Sequence, residues 1–70
     1  MFTISYVSAT ENRVVKEEHT LEDAERYCNE WKEGRERTTD DGDNWCRLVV
    51  CEVLDDGDRV VAFETEYFEA

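Results

Sequence analysis

The segment that decides the fold is Trp45–Phe68, WCRLVVCEVLDDGDRVVAFETEYF, because it has the pattern of two strands joined by a tight turn. Asp-Gly between two runs rich in Val, Phe, Trp and Tyr is a strong hairpin signal, since Gly57 accepts the positive φ that such turns require. A two-residue loop at Asp56-Gly57 places Asp55 opposite Asp58. We therefore predict a hairpin as the centre of the fold.

The two faces of this predicted hairpin differ in character. The expected register places Arg47 opposite Glu66 and Trp45 opposite Phe68. The face assigned to the core consists of Cys46, Leu48, Val50, Val61, Phe63 and Tyr67. The opposite face carries Trp45, Val49, Cys51, Val53, Val60, Ala62 and Phe68, with Arg47, Glu64 and Glu66 toward its far end. That face is too apolar for plain solvent exposure, so we predict a partner site or a self-association surface there. A one-residue slip would exchange the two faces.

Two further strands are predicted before the hairpin. Residues 2–8 alternate between apolar and polar side chains, which is the period of a half-buried strand. The side chains expected on its core side are Phe2, Ile4 and Tyr6. Residues 13–18 are rich in charge, and they predict an edge strand, because charged side chains at an edge discourage pairing with other molecules.

One helix is predicted between the strand pairs. Thr20 begins it, because a threonine side chain accepts a backbone N–H of the first turn, and Asp23 completes an approximate capping box. Its apolar stripe, at spacings of three and four, is Leu21, Ala24, Tyr27, Cys28 and Trp31. Gly34 is the natural terminator.

These elements predict a ββαββ fold of the α+β class, a single domain over residues 1–70. The expected sheet has four antiparallel strands, and the helix packs on one face of it. We predict the strand order 2-1-3-4, because it puts the more hydrophobic strands 1 and 3 in the middle.

The charge balance indicates which partners are compatible with the chain. There are 8 Lys and Arg against 19 Asp and Glu, a net charge of −11 over 70 residues. Such a charge repels other polyanions, so it argues against direct contact with nucleic acid or with an anionic membrane. It favours partners with basic surfaces, above all the clefts with which nucleic-acid-binding proteins hold DNA or RNA.

The carboxylates expected to face a partner come from every exposed element. They are Glu22, Glu30, Glu33, Asp40, Asp41, Asp43, Asp55, Asp56, Asp58, Glu64 and Glu66. Residues two apart on a strand are roughly 6.6 Å apart, comparable to the separation of successive phosphates. Each acid also has a local explanation in helix capping, ion pairing or turn chemistry. The excess of acids also fits a second explanation, adaptation of the whole surface to a saline cytoplasm.

No catalytic, cofactor or metal site is predicted. His19 precedes the helix cap, where a solvated turn residue is expected, and no triad accompanies it. Cys46 and Cys51 point to opposite faces of a strand, and no Cys-x-x-Cys pair exists, so we expect free thiols that pack as small apolar residues. The Asp-rich turns lack the alternate spacing of a calcium loop.

The location predicted from the sequence is the cytoplasm. No apolar run is long enough to span a membrane, and no targeting segment is recognisable. An odd number of cysteines fits a compartment in which thiols stay reduced.

The chain resembles the small acidic proteins with which phages inhibit host defence, including anti-CRISPR proteins. The resemblance lies in its 70 residues, its acidity, its strand-strand-helix-strand-strand plan and the helix opening TLEDAE at Thr20–Glu25. Several such proteins look like nucleic-acid mimics. The resemblance implies a non-enzymatic inhibitor that occupies the basic site of a CRISPR effector or another nuclease in the host cytoplasm, and it assigns no residue a role. The alternative is a structural or accessory domain, dimeric through the apolar sheet face, with a halophilic surface.

Overall fold

The computed structural model describes residues 1–38, 42 and 44–70. Three strands and one helix precede the turn of the hairpin: β1 (Phe2–Ser8), β2 (Asn12–Glu18), α1 (Leu21–Lys32) and β3 (Trp45–Val53). After the turn the chain forms β4 (Arg59–Glu64) and the two-residue β5 (Phe68–Glu69). The predicted Asp40, Asp41 and Asp43 lie outside the described residues.

The sheet confirms the predicted α+β class and strand order. Its strands lie in the order β2-β1-β3-β4. The short β5 pairs with the first residues of β3, along the same edge of β3 that pairs with β4 farther on. All pairings are antiparallel. The two central strands are β1 and β3, as expected because they are the more hydrophobic ones.

The core lies between α1 and the two central strands. Its fully buried members are Ile4 of β1, Leu48 and Val50 of β3, and Ala24 and Cys28 of the helix. Partly buried hydrophobic side chains pack around them: Phe2, Tyr6, Val15, Tyr27, Trp31 and Phe63. The predicted helix stripe is thus confirmed, except that Leu21 at its start remains exposed.

The start of the helix is set by its cap. Thr20 has an extended backbone, and its Oγ1 accepts a hydrogen bond from the Asp23 N–H at 3.1 Å. The helix ends at Lys32, and Gly34 follows with a φ of +82°, in the left-handed region that glycine adopts without strain. The position of the cap and of the glycine are as predicted.

The turn of the hairpin differs from the prediction by one residue. The Leu54 N–H donates to the Asp58 carbonyl at 2.8 Å, and the Gly57 N–H donates to the Leu54 carbonyl at 3.0 Å. The loop therefore has three residues, and Gly57 has the φ of +87° typical of the residue that closes such a loop. The predicted pairing of Asp55 with Asp58 is wrong.

A register shift in β4 exchanges the faces of two valines. Cys51 pairs with Val61, whereas Val50 pairs with Phe63, so Ala62 is an extra residue. Val61, predicted in the core, shares the uncovered face with Cys51 and is 56% exposed. Val60, predicted on the uncovered face, lies on the helix side of the sheet edge, beyond the core cluster, and is 51% exposed.

A second irregularity separates β4 from β5. Thr65, which is 3% exposed, accepts a hydrogen bond from the Leu48 N–H through Oγ1 at 2.9 Å, and its own N–H donates to the Leu48 carbonyl at 3.0 Å. A side chain thus takes the place of one backbone partner of β3, and the segment from Glu64 to Phe68 has one residue more than the segment of β3 that it faces.

The pairing beyond Thr65 corrects the far end of the predicted hairpin. Trp45 pairs with Glu69 and Cys46 with Phe68, so the predicted pairing of Trp45 with Phe68 is wrong. Phe68, predicted on the uncovered face, is buried and meets the Trp31 ring edge-on at 5.5 Å between centroids. The core side thereby gains an aromatic pair that connects the end of the helix to the sheet.

Candidate interaction surfaces

The sheet face opposite α1, called the open face below, is not covered by any described element. Strand pairing places these side chains on it: Thr3, Ser5 and Val7 of β1, Arg47, Val49, Cys51 and Val53 of β3, and Arg59, Val61 and Glu64 of β4. The valines and Cys51 are half-buried or exposed. Of the residues predicted for this face, Val49, Cys51 and Val53 lie there, whereas Val60 and Phe68 do not.

One end of the open face is an aromatic and ionic cluster. Trp45 and Tyr67 meet edge-on with their ring centroids 5.2 Å apart. The guanidinium of Arg47 lies 3.8 Å from the centroid of the Tyr67 ring, and its Nη1 donates to Glu64 Oε2 at 3.1 Å. Tyr67 was predicted in the core, and that prediction is wrong, because the break at Thr65 turns it to this face. The aromatic partner of Trp45 is therefore Tyr67 and not Phe68.

This cluster borders a shallow depression of about 370 Å³. Its walls are Ser5, Val7, Asn12, Trp45, Arg47, Val49, Cys51, Arg59, Glu64 and Tyr67. Arg47 is 19% exposed through its side chain, and its Nε is buried without a hydrogen-bond acceptor among the described residues. The arginine is therefore held in place by Glu64 and the Tyr67 ring, and the cluster is a preformed surface feature.

A second surface, called the acidic end below, lies at the other end of the sheet. Four chain segments meet there: the start of β1, the end of β2, the end of β3 and the hairpin tip. The end of β2 and the end of β3 both flank Phe2, because Phe2 pairs with Glu18 on one side and with Glu52 on the other. The hairpin tip follows directly after β3. The carboxylates gathered here are Glu17, Glu18, Glu52, Asp55, Asp56 and Asp58. Among the described residues, none of them has a cation within 4.0 Å.

The remaining predicted carboxylates are dispersed, and some are paired. Glu22 lies 3.6 Å from Arg26 on the helix, and Glu66 lies 3.3 Å from Arg37. Glu64 is held by Arg47, as described above. Glu30 and Glu33 are exposed near the end of the helix. The structure therefore gathers Asp55, Asp56 and Asp58 of the predicted set into one surface, and leaves the other described members apart.

The cations are concentrated away from the acidic end. Arg13, at the start of β2, pairs with Glu11 at 3.0 Å, and Arg35, beyond the helix, lies over the Trp31 ring at 4.4 Å. Arg37 and Arg47 lie at the same end of the sheet, beside β5 and at the start of β3. Lys16 and Arg59 are the cations on the strand segments that form the acidic end. Three of these arginines, Arg13, Arg37 and Arg47, are paired with carboxylates at their own end, so the excess of negative charge is larger at the acidic end.

Sequence reasoning missed Glu17, Glu18 and Glu52 as members of this surface. The signal was present, because the order 2-1-3-4 with antiparallel pairing sends the end of strand 2 and the end of strand 3 to the same edge as the hairpin tip. No single segment indicates this surface, because its acids lie in different segments that only the sheet topology brings together.

Two titratable groups, Cys28 and Tyr6, have raised pKa values and stay neutral near pH 7. Burial raises the pKa of the Cys28 thiol to about 11, with Glu25 adding to the rise and Lys32 opposing it. Burial also raises the pKa of Tyr6, helped by the neighbouring Cys46. Neither group is thereby prepared to act as a base or nucleophile at neutral pH. The described residues contain no group of three His, Cys, Asp or Glu side chains placed to hold a metal ion.

Comparison with known proteins gives no relative. No family model matches the chain, and no curated protein or solved structure shows significant similarity to it. Within the described residues, the helix is too short and too polar to cross a membrane.

Proposed function

We propose that the protein is an acidic inhibitor that occupies the basic nucleic-acid site of a partner protein or complex. A CRISPR effector or another nuclease is the partner class we propose, and the inhibitor acts without catalysis in the cytoplasm of the host cell. The recognition is electrostatic, with carboxylates taking the positions of phosphates against Lys and Arg side chains.

The observation that carries this proposal is the acidic end. Its carboxylates are held by the ends of two strands and by a three-residue turn, so their relative positions are fixed by the sheet. Glu18 and Glu52 lie on the helix side on either side of Phe2, two strand spacings or about 9.6 Å apart, and Glu17 lies on the open face beside Thr3. These carboxylates have no ion-pair partner among the described residues, so together they present a fixed concentration of negative charge to a basic groove, as a nucleic-acid backbone does. Because the carboxylates at the opposite end are partly neutralised by Arg13, Arg37 and Arg47, the acidic end is the end that a positive surface attracts more strongly.

The test is to neutralise the acidic end without changing its shape. The variant Glu17→Gln, Glu52→Gln and Asp55→Asn removes three of its charges and keeps the side-chain size. Asp56 is left alone because its Oδ1 accepts a hydrogen bond from the Asp58 N–H at 3.0 Å and supports the turn. The native protein and the variant are immobilised and offered purified CRISPR effector complexes and nucleases, with duplex DNA as competitor.

A matched control removes the same charge from another surface. The variant Glu25→Gln, Glu30→Gln and Glu33→Gln neutralises three exposed carboxylates of the helix. We expect the acidic-end variant to lose binding by at least about tenfold, and the helix variant to change it by less than about threefold, because exposed charges farther away than about 8 Å are screened at physiological ionic strength. Equal effects of the two variants would contradict a localised site. Complexes that DNA does not displace would contradict mimicry itself.

A second candidate function is the structural or accessory domain with a halophilic surface. The observation that favours it is a set of exposed helix carboxylates, such as Glu25 and Glu30, that lie away from the acidic end and have no ion-pair partner among the described residues. Such a domain gains folding stability between low and molar salt and binds no basic protein. Binding of a nuclease that DNA reverses would decide against it.

A further inference from the structure

The outer edge of β4 has no partner in the described part of the chain. β4 is the last strand of the order β2-β1-β3-β4, and β5 pairs with β3, not with β4. The edge of β5 is covered by the segment after the helix, since the Glu69 N–H donates to the Glu36 carbonyl at 3.0 Å. No such backbone bond reaches the outer edge of Arg59–Glu64 from a described residue. An unpaired row of backbone N–H and C=O groups is a template for another strand.

The two edges of the sheet differ in how they are protected. The interior of the other edge strand, β2, carries three charged side chains: Arg13, Lys16 and Glu17. The interior of β4, Val60–Phe63, carries none. Val60 and Val61 are both more than half exposed. Charges along an edge discourage pairing between molecules, so β2 is more strongly protected than β4, where charges stand only at the ends and Ala62 is an extra residue.

We propose that a second copy of this chain pairs with β4 along this edge, antiparallel and related by a twofold axis normal to the sheet. The register that fits places Arg59 opposite Glu64 of the partner subunit, Val60 opposite Phe63 of the partner subunit, and Val61 opposite Ala62 of the partner subunit. The result is a continuous sheet through two copies of the order β2-β1-β3-β4.

This register is favoured because it matches the faces of the two outer pairs, Arg59 with Glu64 and Val60 with Phe63. Arg59 pairs with Val53 and Glu64 with Val49 within the subunit, so both lie on the open face. Val60 pairs with Glu52 and Phe63 with Val50, so both lie on the helix side. An axis normal to the sheet keeps the two faces distinct. Opposite charges then face each other on the open face, and apolar side chains face each other on the helix side.

Charge complementarity identifies the occupant as a second copy. Arg59 has no ion pair among the described residues, and Glu64 uses one carboxylate oxygen for Arg47 and keeps the other available. One strand therefore carries both members of two symmetric ion pairs.

The salt dependence of this dimer is opposite in sign to that of the proposed function. Two chains of net charge −11 repel each other, so screening strengthens their association, whereas it weakens binding to a basic site. Sedimentation velocity over a range of protein concentrations, in about 50 mM and about 1 M NaCl, measures the dimer directly. We expect the dimer Kd to fall by about tenfold or more at the higher salt. A chain that stays monomeric in both buffers up to about millimolar concentration, where association is too weak to matter, overturns the proposal.

A pair of substitutions identifies the interface. Val60→Lys places a charge on the β4 edge but not on the open face, and we expect it to weaken the dimer by about tenfold or more. Val14→Lys makes the same chemical change on the opposite edge strand, where the valine is 45% exposed and pairs with Ser5 of the open face. We expect it to leave the Kd within about twofold, because it lies far beyond the screening length of the pairing strand. The reverse pattern would show association through the open face and overturn the edge pairing.

Charge exchange tests the register. Arg59→Glu and Glu64→Arg each place like charges opposite one another in a homodimer, so each variant alone is expected to associate more weakly. Mixed in equal amounts, the two variants restore both opposite-charge pairs in a heterodimer, which is detected by labelling one of them. Failure of the mixture to recover association overturns the register. Melting curves of the separate variants show whether each is folded, and the mixing result does not depend on their stabilities being equal.

Discussion

Replacement of Thr65 by valine tests the point at which the last part of the chain joins the sheet. Its hydroxyl accepts from the Leu48 N–H at 2.9 Å and lies 3.4 Å from the Leu48 carbonyl. Valine has the same shape as threonine but has no hydroxyl. The variant therefore leaves the Leu48 N–H, deep in the central strand, without an acceptor.

The expected loss of stability follows from this geometry. A buried backbone donor left unsatisfied costs about 1–3 kcal/mol. A domain of this size has a net stability of only about 3–5 kcal/mol from its core, so a loss of about 2 kcal/mol removes a large share of it. For a 60–100-residue domain that loss lowers Tm by roughly 8–16 °C.

Urea unfolding followed by tryptophan fluorescence measures the effect. Trp31 contacts Phe68 and Trp45 contacts Tyr67, so both indoles report the docking of the segment beyond Thr65. The matched control is Thr65→Ser, which keeps the hydroxyl and loses a methyl group. We expect the serine variant to lose about 1 kcal/mol, the value of a buried methyl group, and the valine variant to lose clearly more.

The opposite ranking would refute the reasoning. If Thr65→Val is within about 0.5 kcal/mol of the native protein while Thr65→Ser is less stable, packing and not the hydrogen bond holds this segment. The slope of the free energy with urea should be unchanged in both variants, because they expose the same surface on unfolding.

The helix cap and the buried thiol give two further predictions. Thr20→Ala removes the acceptor of the Asp23 N–H and is expected to cost about 1 kcal/mol in urea unfolding, whereas Thr20→Ser should retain most of the stability. The second prediction concerns pH, because the pKa of Cys28 is raised to about 11. The contribution of the protonated thiol to the free energy of unfolding is complete below the ordinary thiol pKa and is lost as pH rises toward 11. The free energy of unfolding of the native protein should therefore decline by about 2 kcal/mol between pH 9 and 11. The Cys28→Ala variant is expected to be less stable at every pH but to show a smaller decline. Equal declines in the two proteins would contradict the assignment to Cys28.

The parts of the fold that the sequence predicts correctly are those with a local physical cause. The alternation in β1 and the three-four spacing of Ala24 and Cys28 each follow from one period within one element. The capping hydroxyl of Thr20 acts three residues away. The strand order also follows from a simple quantity, the relative hydrophobicity of the strands, and needs no knowledge of side-chain contacts.

The errors arise where a single residue changes the register. Gly57 fits the last position of a three-residue loop as well as the second position of a two-residue loop, so the pattern does not choose between them. The extra Ala62 then restores the expected pairing of Val50 with Phe63, but only after Val60 and Val61 have exchanged faces. Neither shift alters the composition of the segment, and each is decided by hydrogen bonds to β3.

Local periodicity also predicts only those parts of the interaction surfaces that lie on an uninterrupted strand. The open face was predicted from the central strand β3, whose alternation is uninterrupted, and Val49, Cys51 and Val53 lie there. Tyr67 joined it because Thr65 replaces a ladder bond with a side-chain bond, which no periodicity indicates. The acidic end depends on which strand ends meet, and this is a property of topology and not of any one segment.

The two proposed surfaces are coupled through Arg59. It lies directly after the hairpin tip, so it is one of the cations that reduce the negative potential of the acidic end. Pairing with Glu64 of the partner subunit engages that cation at the edge and leaves the hairpin carboxylates less compensated. The twofold axis also places the two acidic ends at diagonally opposite corners of the continuous sheet. A dimer would thus present two sites facing opposite ways, an arrangement that increases avidity only for a target with repeated basic sites.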